Sequence, residues 1–182
     1  EKALAGQETP LVLASLRCLA TLRTPEAVLL VEKAVAWPEV AVRRAALRVL
    51  GRVPASPTVS RAIGRGLRDG NADVRKEAIA AIDRQGLADL APTLFHWFEQ
   101  SGFGLLDSME RDIVVALLAE LDPDYATRSL SEKLTLGLRA KVGGAGSDVA
   151  EWNRVIVEGL AAAGTDEAMA KLREVRTQGN QA

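Results

Sequence analysis

The sequence of 182 residues is poor in aromatic side chains, cysteine and histidine, and each scarcity argues against one class of protein. Aromatic residues make up 4% of the chain, so its 48% apolar content is mostly Ala, Leu and Val. Such a composition suits close-packed helices better than a β-sandwich. A single cysteine excludes an internal disulfide framework, and one histidine with no cysteine near it does not complete a metal site.

Long hydrophobic runs and an excess of one charge are also missing. No apolar run approaches the roughly 20 residues that a membrane-spanning helix needs, so no membrane span is expected. The net charge of −1 argues against a dedicated nucleic-acid binder. No signal peptide is visible, which favours a cytoplasmic location. Because the chain begins at Glu1 without methionine, it is interpreted as trimmed or as a fragment, in which a lost leader is not excluded.

One short stretch, DGNAD (69–73), resembles the start of a calcium loop because Asp69, Asn71 and Asp73 alternate. An EF-hand loop also needs glycine at its sixth position and glutamate at its twelfth, where this chain has Val74 and Ala80. Asn71 instead suits the N-cap of a helix, with the Asp73 carboxylate in the first turn. The stretch is therefore predicted to be a turn between two helices, and no metal or cofactor is expected.

An internal repeat of about 32 residues runs through the chain. Residues 42–50, VRRAALRVL, align with residues 74–82, VRKEAIAAI, and weaker copies occur near 15–19 and at 111–121. Capping residues precede proline at 9–10, 24–25, 56–57 and 122–123, which is typical of helix starts. These patterns predict five helix pairs, at 9–22/25–36, 39–52/57–69, 72–85/87–100, 108–121/123–138 and 149–163/165–177. A two-helix repeat of this length is typical of an α-solenoid.

The stretch LRDGNADVRKEAIAAI (67–82), and more weakly WPEVAVRRAALRVLG (37–51), resembles the HEAT-repeat family. The resemblance implies an all-α fold, a right-handed α-α superhelix of about five antiparallel helix pairs, as one domain over 1–182. It also implies that aspartate and arginine of the motif stabilise the turn and stack between repeats. The matching positions are Asp69, Asp73, Arg75 and Arg43. Trp37 and Ala41 replace the two aspartates in the second repeat, which argues against an aspartate–arginine ladder between the second and third repeats.

Basic residues are concentrated between positions 43 and 84, where the sequence has ten Lys and Arg but only four Asp and Glu. Arg61, Arg65 and Arg68 fall on one face of the predicted helix 57–69. In HEAT-like proteins the second helix of each pair usually lines the concave surface, and repeat alignment places Lys33, Arg65 and His96 at equivalent positions there. An arginine row suits carboxylates or phosphates. The alternative interpretation is a solvated face of an arginine-rich protein.

Aromatic residues are concentrated in LFHWFEQSGFGLL (94–106). One interpretation is a local core at an irregular repeat junction, and the other is a binding hot spot with Trp97 and Phe103 as apolar anchors. Cys18, in an Ala/Leu-rich helix, is predicted to be a buried structural thiol. No arrangement of catalytic residues is recognised, so the chain is not expected to be an enzyme.

The sequence therefore favours a non-catalytic, bacterial protein–protein interaction scaffold. Its acidic protein partner would bind a concave surface with these residues: Lys33, Arg61, Arg65, Arg68, His96, Trp97 and Phe103. Three alternatives stay open. HEAT-like proteins include nucleic-acid binders such as some DNA glycosylases, and accessory or lyase-type subunits acting on tetrapyrrole-bearing partners. The chain is also compatible with being a segment of a longer solenoid. Its charge asymmetry is compatible with head-to-tail self-association.

Overall fold

A computed structural model of the chain describes residues 2–22, 24–100, 108–141 and 147–179. Within these ranges the regular secondary structure is helical and no strand occurs, which confirms the prediction of an all-α protein. None of the helices in the described ranges combines the length and the apolar character required to cross a bilayer. The chain folds as two compact units, Glu1–Leu90 and Ala91–Ala182, so the single domain over 1–182 stays a prediction.

The first unit is built from five helices and a short 3-10 helix at Ala88–Leu90 among the residues described. The helices are α1 (Lys2–Leu22), α2 (Pro25–Ala34), α3 (Val40–Leu50), α4 (Pro57–Gly66) and α5 (Ala72–Gln85). Helix α1 packs on α3 and α3 on α5, whereas α2 packs on α4. First helices of successive pairs therefore contact each other, as do second helices. Side chains of α3, α4 and α5 with no exposed surface form the centre of this core: Val42, Leu47, Leu50, Val59, Ile63, Val74 and Ile82.

The regular secondary structure of the second unit is also helical among the residues described. Its helices are α6 (Ala91–Gln100), α7 (Ser108–Leu121), α8 (Pro123–Lys141), α9 (Ser147–Ala163) and α10 (Asp166–Gly179). Helix α7 packs on α6, α8 and α9, and α8 packs on α6, α9 and α10. A Cβ atom on Gly159 of α9 would lie 2.1 Å from Val115 Cγ1 of α7 and 2.8 Å from Leu130 Cδ1 of α8. Glycine at this position therefore lets three helices approach closely.

Four helix starts in the described part of the chain follow the capping residues that the sequence predicts. Thr24, Ser56 and Asn71 accept hydrogen bonds from backbone N–H groups in the first turns of α2, α4 and α5. Asp122 Oδ1 accepts one from Tyr125 N–H at 2.9 Å at the start of α8. Each cap satisfies a backbone donor that the first turn leaves without a partner.

The predicted helix start at Thr9–Pro10 is wrong, because α1 begins at Lys2 and contains Pro10. Residues 2–8 read KALAGQE and include several strong helix formers, which favour continuing the helix upstream. Proline interrupts one backbone hydrogen bond but does not end the helix here.

A glutamine of α5 completes the end of α3. Gln85 Nε2 donates to the backbone oxygen of Leu50, the last residue of α3, and to that of Val53 at 3.1 Å. The last carbonyls of a helix have no partner within the helix, so the side chain supplies the missing donor from the next repeat. Gly86 then ends α5 in the left-handed region, at φ 59° and ψ 45°.

Candidate partner-binding surface

The turn before α5 is held by the carboxylate of Asp69. Asp69 Oδ2 accepts from Arg43 Nε at 2.7 Å, Oδ1 accepts from Arg43 Nη2 at 3.0 Å, and Oδ1 also accepts from Asn71 N–H at 2.9 Å. Burial by itself would raise the pKa of Asp69, but these hydrogen bonds together with the positive charges of Arg43 and Arg75 hold that pKa below its ordinary value. The carboxylate is therefore committed to the fold and is not free to bind a metal.

The arginines of the turn repeat one set of contacts 32 residues apart. Arg43 Nη1 donates to the carbonyl oxygens of Trp37 and Pro38 at 2.9 and 2.7 Å. Arg75 Nη1 donates to those of Asp69 and Gly70 at 3.1 and 3.4 Å. Each arginine thus closes the loop that precedes its own helix.

The expectation that no aspartate–arginine ladder joins the second and third repeats is wrong. The ladder requires only the arginine of the earlier repeat and the aspartate of the later one, and both Arg43 and Asp69 are present. Asp73 adds a longer contact, with Oδ2 at 3.6 Å from Arg44 Nη1 on α3. Trp37 and Ala41 at the aspartate positions therefore do not prevent this contact.

Four of the predicted partner-binding residues, Lys33, Arg61, Arg65 and Arg68, lie in the first unit, on and just after the packed helices α2 and α4. We call these four residues the α4 surface. All four are exposed, whereas Val59, Ile63 and Leu67 on the opposite face of the same segment are buried. The predicted division of this segment into a basic face and an apolar face is therefore present in the structure.

One residue of the α4 surface already has a carboxylate partner. Arg65 Nη2 donates to Glu32 Oε1 at 2.7 Å, and the Glu32 side chain is only 14% exposed. No carboxylate in the described part of the chain forms an ion pair with Lys33, Arg61 or Arg68. These three cations are therefore available to a ligand, whereas Arg65 is shared with Glu32.

The remaining predicted residues belong to the second unit. His96 is exposed and Trp97 is half-buried on α6, and Phe103 lies outside the described residues. The structure thus places Lys33 and the three arginines on adjoining elements of the first unit, and it describes His96 and Trp97 only within their own unit.

The neighbouring phenylalanines of α6 lie in the core. Phe98 stacks on Trp152 of α9, with ring centroids 4.6 Å apart and an interplanar angle of 10°. Phe95 meets Tyr125 of α8 edge to face at 6.0 Å. The interpretation of a local aromatic core holds for Phe95 and Phe98, and their partners come from two later helices that sequence reasoning did not connect to them.

Sequence reasoning missed a groove between α1 and α3, with a volume of about 660 Å³. Four arginines line it, Arg17 from α1 and Arg44, Arg48 and Arg52 from α3 and the turn that follows it. Apolar residues from the two helices complete the lining: Leu13, Leu16, Ala20, Ala41, Ala45 and Val49. The four-residue spacing of the last three arginines was a visible signal, because it places them along one face.

The expectation that Cys18 is a buried structural thiol is wrong, because this residue of α1 is exposed. Between residues 8 and 22, the part of α1 whose burial is described, Leu16 is the one residue that is fully in the core. In the described part of the chain, no group of three or more His, Cys, Asp and Glu side chains is placed to hold a metal ion.

No model of a known protein family matches the chain, and no curated protein matches it.

Proposed function

We propose that the chain is a non-catalytic protein-interaction module of HEAT-like helix pairs, which binds an acidic region of a partner protein through the α4 surface. The observation that carries this proposal is the exposure of Lys33, Arg61 and Arg68 on adjoining elements, each without an ion-pair partner in the described part of the chain. Cations left without counterions on a rigid helical support attract an anionic ligand and orient it.

The solenoid part of the proposal is supported by the packing inside each unit. In the first unit α1, α3 and α5 follow one another, with α2 on α4 beside them, and in the second unit α7 packs on α9 and α8 on α10. The loop contacts of Arg43 and Arg75 recur at the repeat spacing. Stacked helix pairs with equivalent loop contacts are what a HEAT-like repeat array requires.

A protein ligand is favoured over nucleic acid by the way the cations are distributed. The first unit carries fourteen Lys and Arg against ten Asp and Glu, and the second carries nine against fourteen. The sequence pI is about 6.0, far from the strongly basic value typical of nucleic-acid-binding domains. The ion pair between Arg65 and Glu32 supports the proposal as an intramolecular example of a carboxylate bound to an arginine of this surface.

The test is affinity capture from lysate of the source cells, with bound proteins identified by mass spectrometry. Wild type is compared with Arg61→Glu/Arg68→Glu, a variant that leaves the ion pair of Arg65 with Glu32 intact. The matched control is Arg128→Glu/Arg173→Glu, which makes the same charge change at two exposed arginines of the second unit. A partner retained by wild type and the control but lost with the α4 variant is expected.

Two outcomes would overturn the proposal. If wild type, the α4 variant and the control captured the same partners in equal amounts, Arg61 and Arg68 would be solvent-exposed residues without a role in binding. Retention of a DNA duplex by wild type, with an affinity that falls steeply as salt rises and is lost in the α4 variant, would indicate nucleic-acid binding instead.

A further inference from the structure

The geometry points to a second binding site, separate from the α4 surface: the groove between α1 and α3 takes an acidic amphipathic helix of a partner protein. We call it the arginine groove, and its cationic residues are Arg17, Arg44, Arg48 and Arg52. It lies on the first helices of the first two pairs, whereas the α4 surface belongs to the second helices.

The charged residues that line the arginine groove are all basic. Four arginines and no acidic residue line it. Arg17 and Arg52 are exposed, and neither forms an ion pair with a carboxylate in the described part of the chain. A carboxylate that enters the groove therefore meets two unpaired guanidinium groups, each of which is able to bind it in a bidentate manner.

The other two arginines are only partly occupied by α5. Arg48 binds Glu77 with Nε at 3.3 Å from Oε1 and Nη2 at 2.7 Å from Oε2, and Arg44 Nη1 lies 3.6 Å from Asp73 Oδ2. A guanidinium carries five N–H donors, so both arginines keep donors for a second carboxylate. Arg44 and Arg48 are thus able to bridge α5 and a ligand.

The contact with α5 also shows which ligand geometry fits. Asp73 and Glu77 are four residues apart on α5, and they meet Arg44 and Arg48, which are four residues apart on α3. Side chains four residues apart on a helix lie on one face at a rise of about 6 Å. A ligand helix with acidic residues at the same spacing therefore matches the arginines of the groove in register.

The lining of the groove explains why the ligand is amphipathic and not a bare polyanion. The apolar lining combines Leu13 and Leu16 of α1 with the small side chains of Ala41 and Ala45 of α3, around a space of about 660 Å³. Alanine leaves room between the helices, and an apolar stripe on a ligand helix would bury itself there. A phosphate backbone has no comparable apolar surface to place in the groove.

The experiment measures binding of a fluorescein-labelled peptide of about 15 residues, which is about four helical turns. The peptide carries Glu at positions i, i+4 and i+8 and Leu and Ala on the adjacent stripe, and its counterpart carries Gln in place of Glu. Fluorescence anisotropy with the full chain gives both affinities. The Glu peptide is expected to bind at least about tenfold more tightly than the Gln peptide.

Variants locate the binding site. Arg17→Glu/Arg52→Glu is expected to weaken binding of the Glu peptide by at least about tenfold, and the milder Arg17→Gln/Arg52→Gln by a smaller factor. Ala45→Leu fills the groove without changing its charge and is expected to weaken both peptides. The control Arg128→Glu/Arg173→Glu, with the same charge change as the first variant, is expected to bind within about twofold of wild type. Circular dichroism confirms that each variant is folded.

Several results would overturn the inference. Equal affinity for the Glu and Gln peptides, or unchanged affinity in the Gln variant and in Ala45→Leu, would exclude the groove. Loss of peptide binding in Arg61→Glu/Arg68→Glu alone would place the peptide on the α4 surface instead. A poly-glutamate chain or a short DNA duplex that binds the groove more tightly than the Glu peptide would reject an amphipathic helix. A wild-type dimer that Arg17→Glu/Arg52→Glu converts to a monomer would identify the occupant as a second copy of this chain.

Discussion

Arg43 and Asp69, 26 residues apart in the chain, form a bidentate ion pair with distances of 2.7 and 3.0 Å. Their side chains are 16% and 13% exposed, so the pair is largely shielded from water. It links the start of α3 to the loop before α5 and so fixes the spacing of two successive repeats. An ion pair of this kind contributes mainly through the penalty of leaving one partner buried alone.

Replacing Asp69 with Asn is expected to lower the free energy of unfolding by about 2–3 kcal/mol, because Arg43 then keeps a shielded charge without a counterion. The measurement is urea unfolding followed by circular dichroism. Asp83→Asn, at an exposed aspartate of α5, is the matched control and is expected to change the stability by less than about 0.5 kcal/mol. Equal effects of the two substitutions would show that the ion pair adds nothing to stability.

The same aspartate predicts a dependence of stability on pH. The folded chain holds the pKa of Asp69 below its ordinary value, so the folded state binds this proton less readily than the unfolded state. The contribution is fully present above the unfolded pKa of about 3.9 and is lost as the pH falls through the lower, folded pKa.

The stability difference between wild type and Asp69→Asn is therefore expected to be constant at neutral pH and to shrink below about pH 4. Urea unfolding at a series of pH values for both proteins gives this difference directly. A difference that stays constant down to the lowest pH at which the protein folds would contradict the assigned pKa direction.

Phe98 provides a test of the aromatic core in the second unit. Its side chain is 1% exposed and stacks on Trp152. Phe98→Ala is expected to lower the free energy of unfolding by about 3–5 kcal/mol, because the substitution leaves a cavity. Phe98→Leu retains most of the volume and is expected to cost less than about 2 kcal/mol while removing the stacking signal of Trp152 from the near-ultraviolet circular dichroism.

Met109→Ala, at a side chain that is 67% exposed on α7, is the control in the same unit and is expected to change the stability by less than about 0.5 kcal/mol. If Phe98→Ala proved as mild as this control, the aromatic residues would not form the core of the unit.

Gly159 tests the close approach of α7, α8 and α9. Adding one methyl group in Gly159→Ala forces Val115 and Leu130 to move, and a destabilisation of about 1–3 kcal/mol is expected in spite of the higher helix propensity of alanine. Gly64→Ala in α4 is the comparison, because its added Cβ atom meets Leu90 only at 3.4 Å. Gly64→Ala is expected to leave the stability unchanged or to raise it by up to about 1 kcal/mol. Thermal unfolding of the two variants therefore separates the cost of the steric clash from the gain in helix propensity.

Local patterns in the sequence were sufficient to predict most of the helices. The span of α5 follows from Asn71 at its start and Gly86 after its end, because the cap chemistry involves only neighbouring residues. The start at Pro10 failed because a capping pair competes with the helix propensity of the residues before it, and the pattern alone does not decide between them.

The interactions between repeats were less predictable. Alignment of the repeats identifies equivalent positions, such as Arg43 and Arg75. It does not identify contacts between non-equivalent positions, such as the ion pair between Arg43 and Asp69. The groove between α1 and α3 depends on how far apart the two helices lie and on the small alanines in its lining, and neither is encoded in the periodicity of one segment. The exposure of Arg61, Arg65 and Arg68 was predicted because it follows from the apolar face of a single helical segment.

The hydrogen bonds from Gln85 to Leu50 and Val53 have a consequence for fragments of the chain. Because a side chain near the end of α5 donates to the carbonyl of the last residue of α3, the end of α3 lacks this partner when the two helices are separated. A fragment that ends before α5 therefore loses the donor for the end of α3. A segment of the first unit in which α3 keeps this partner has to extend from Val40 to Gln85 and to include α4.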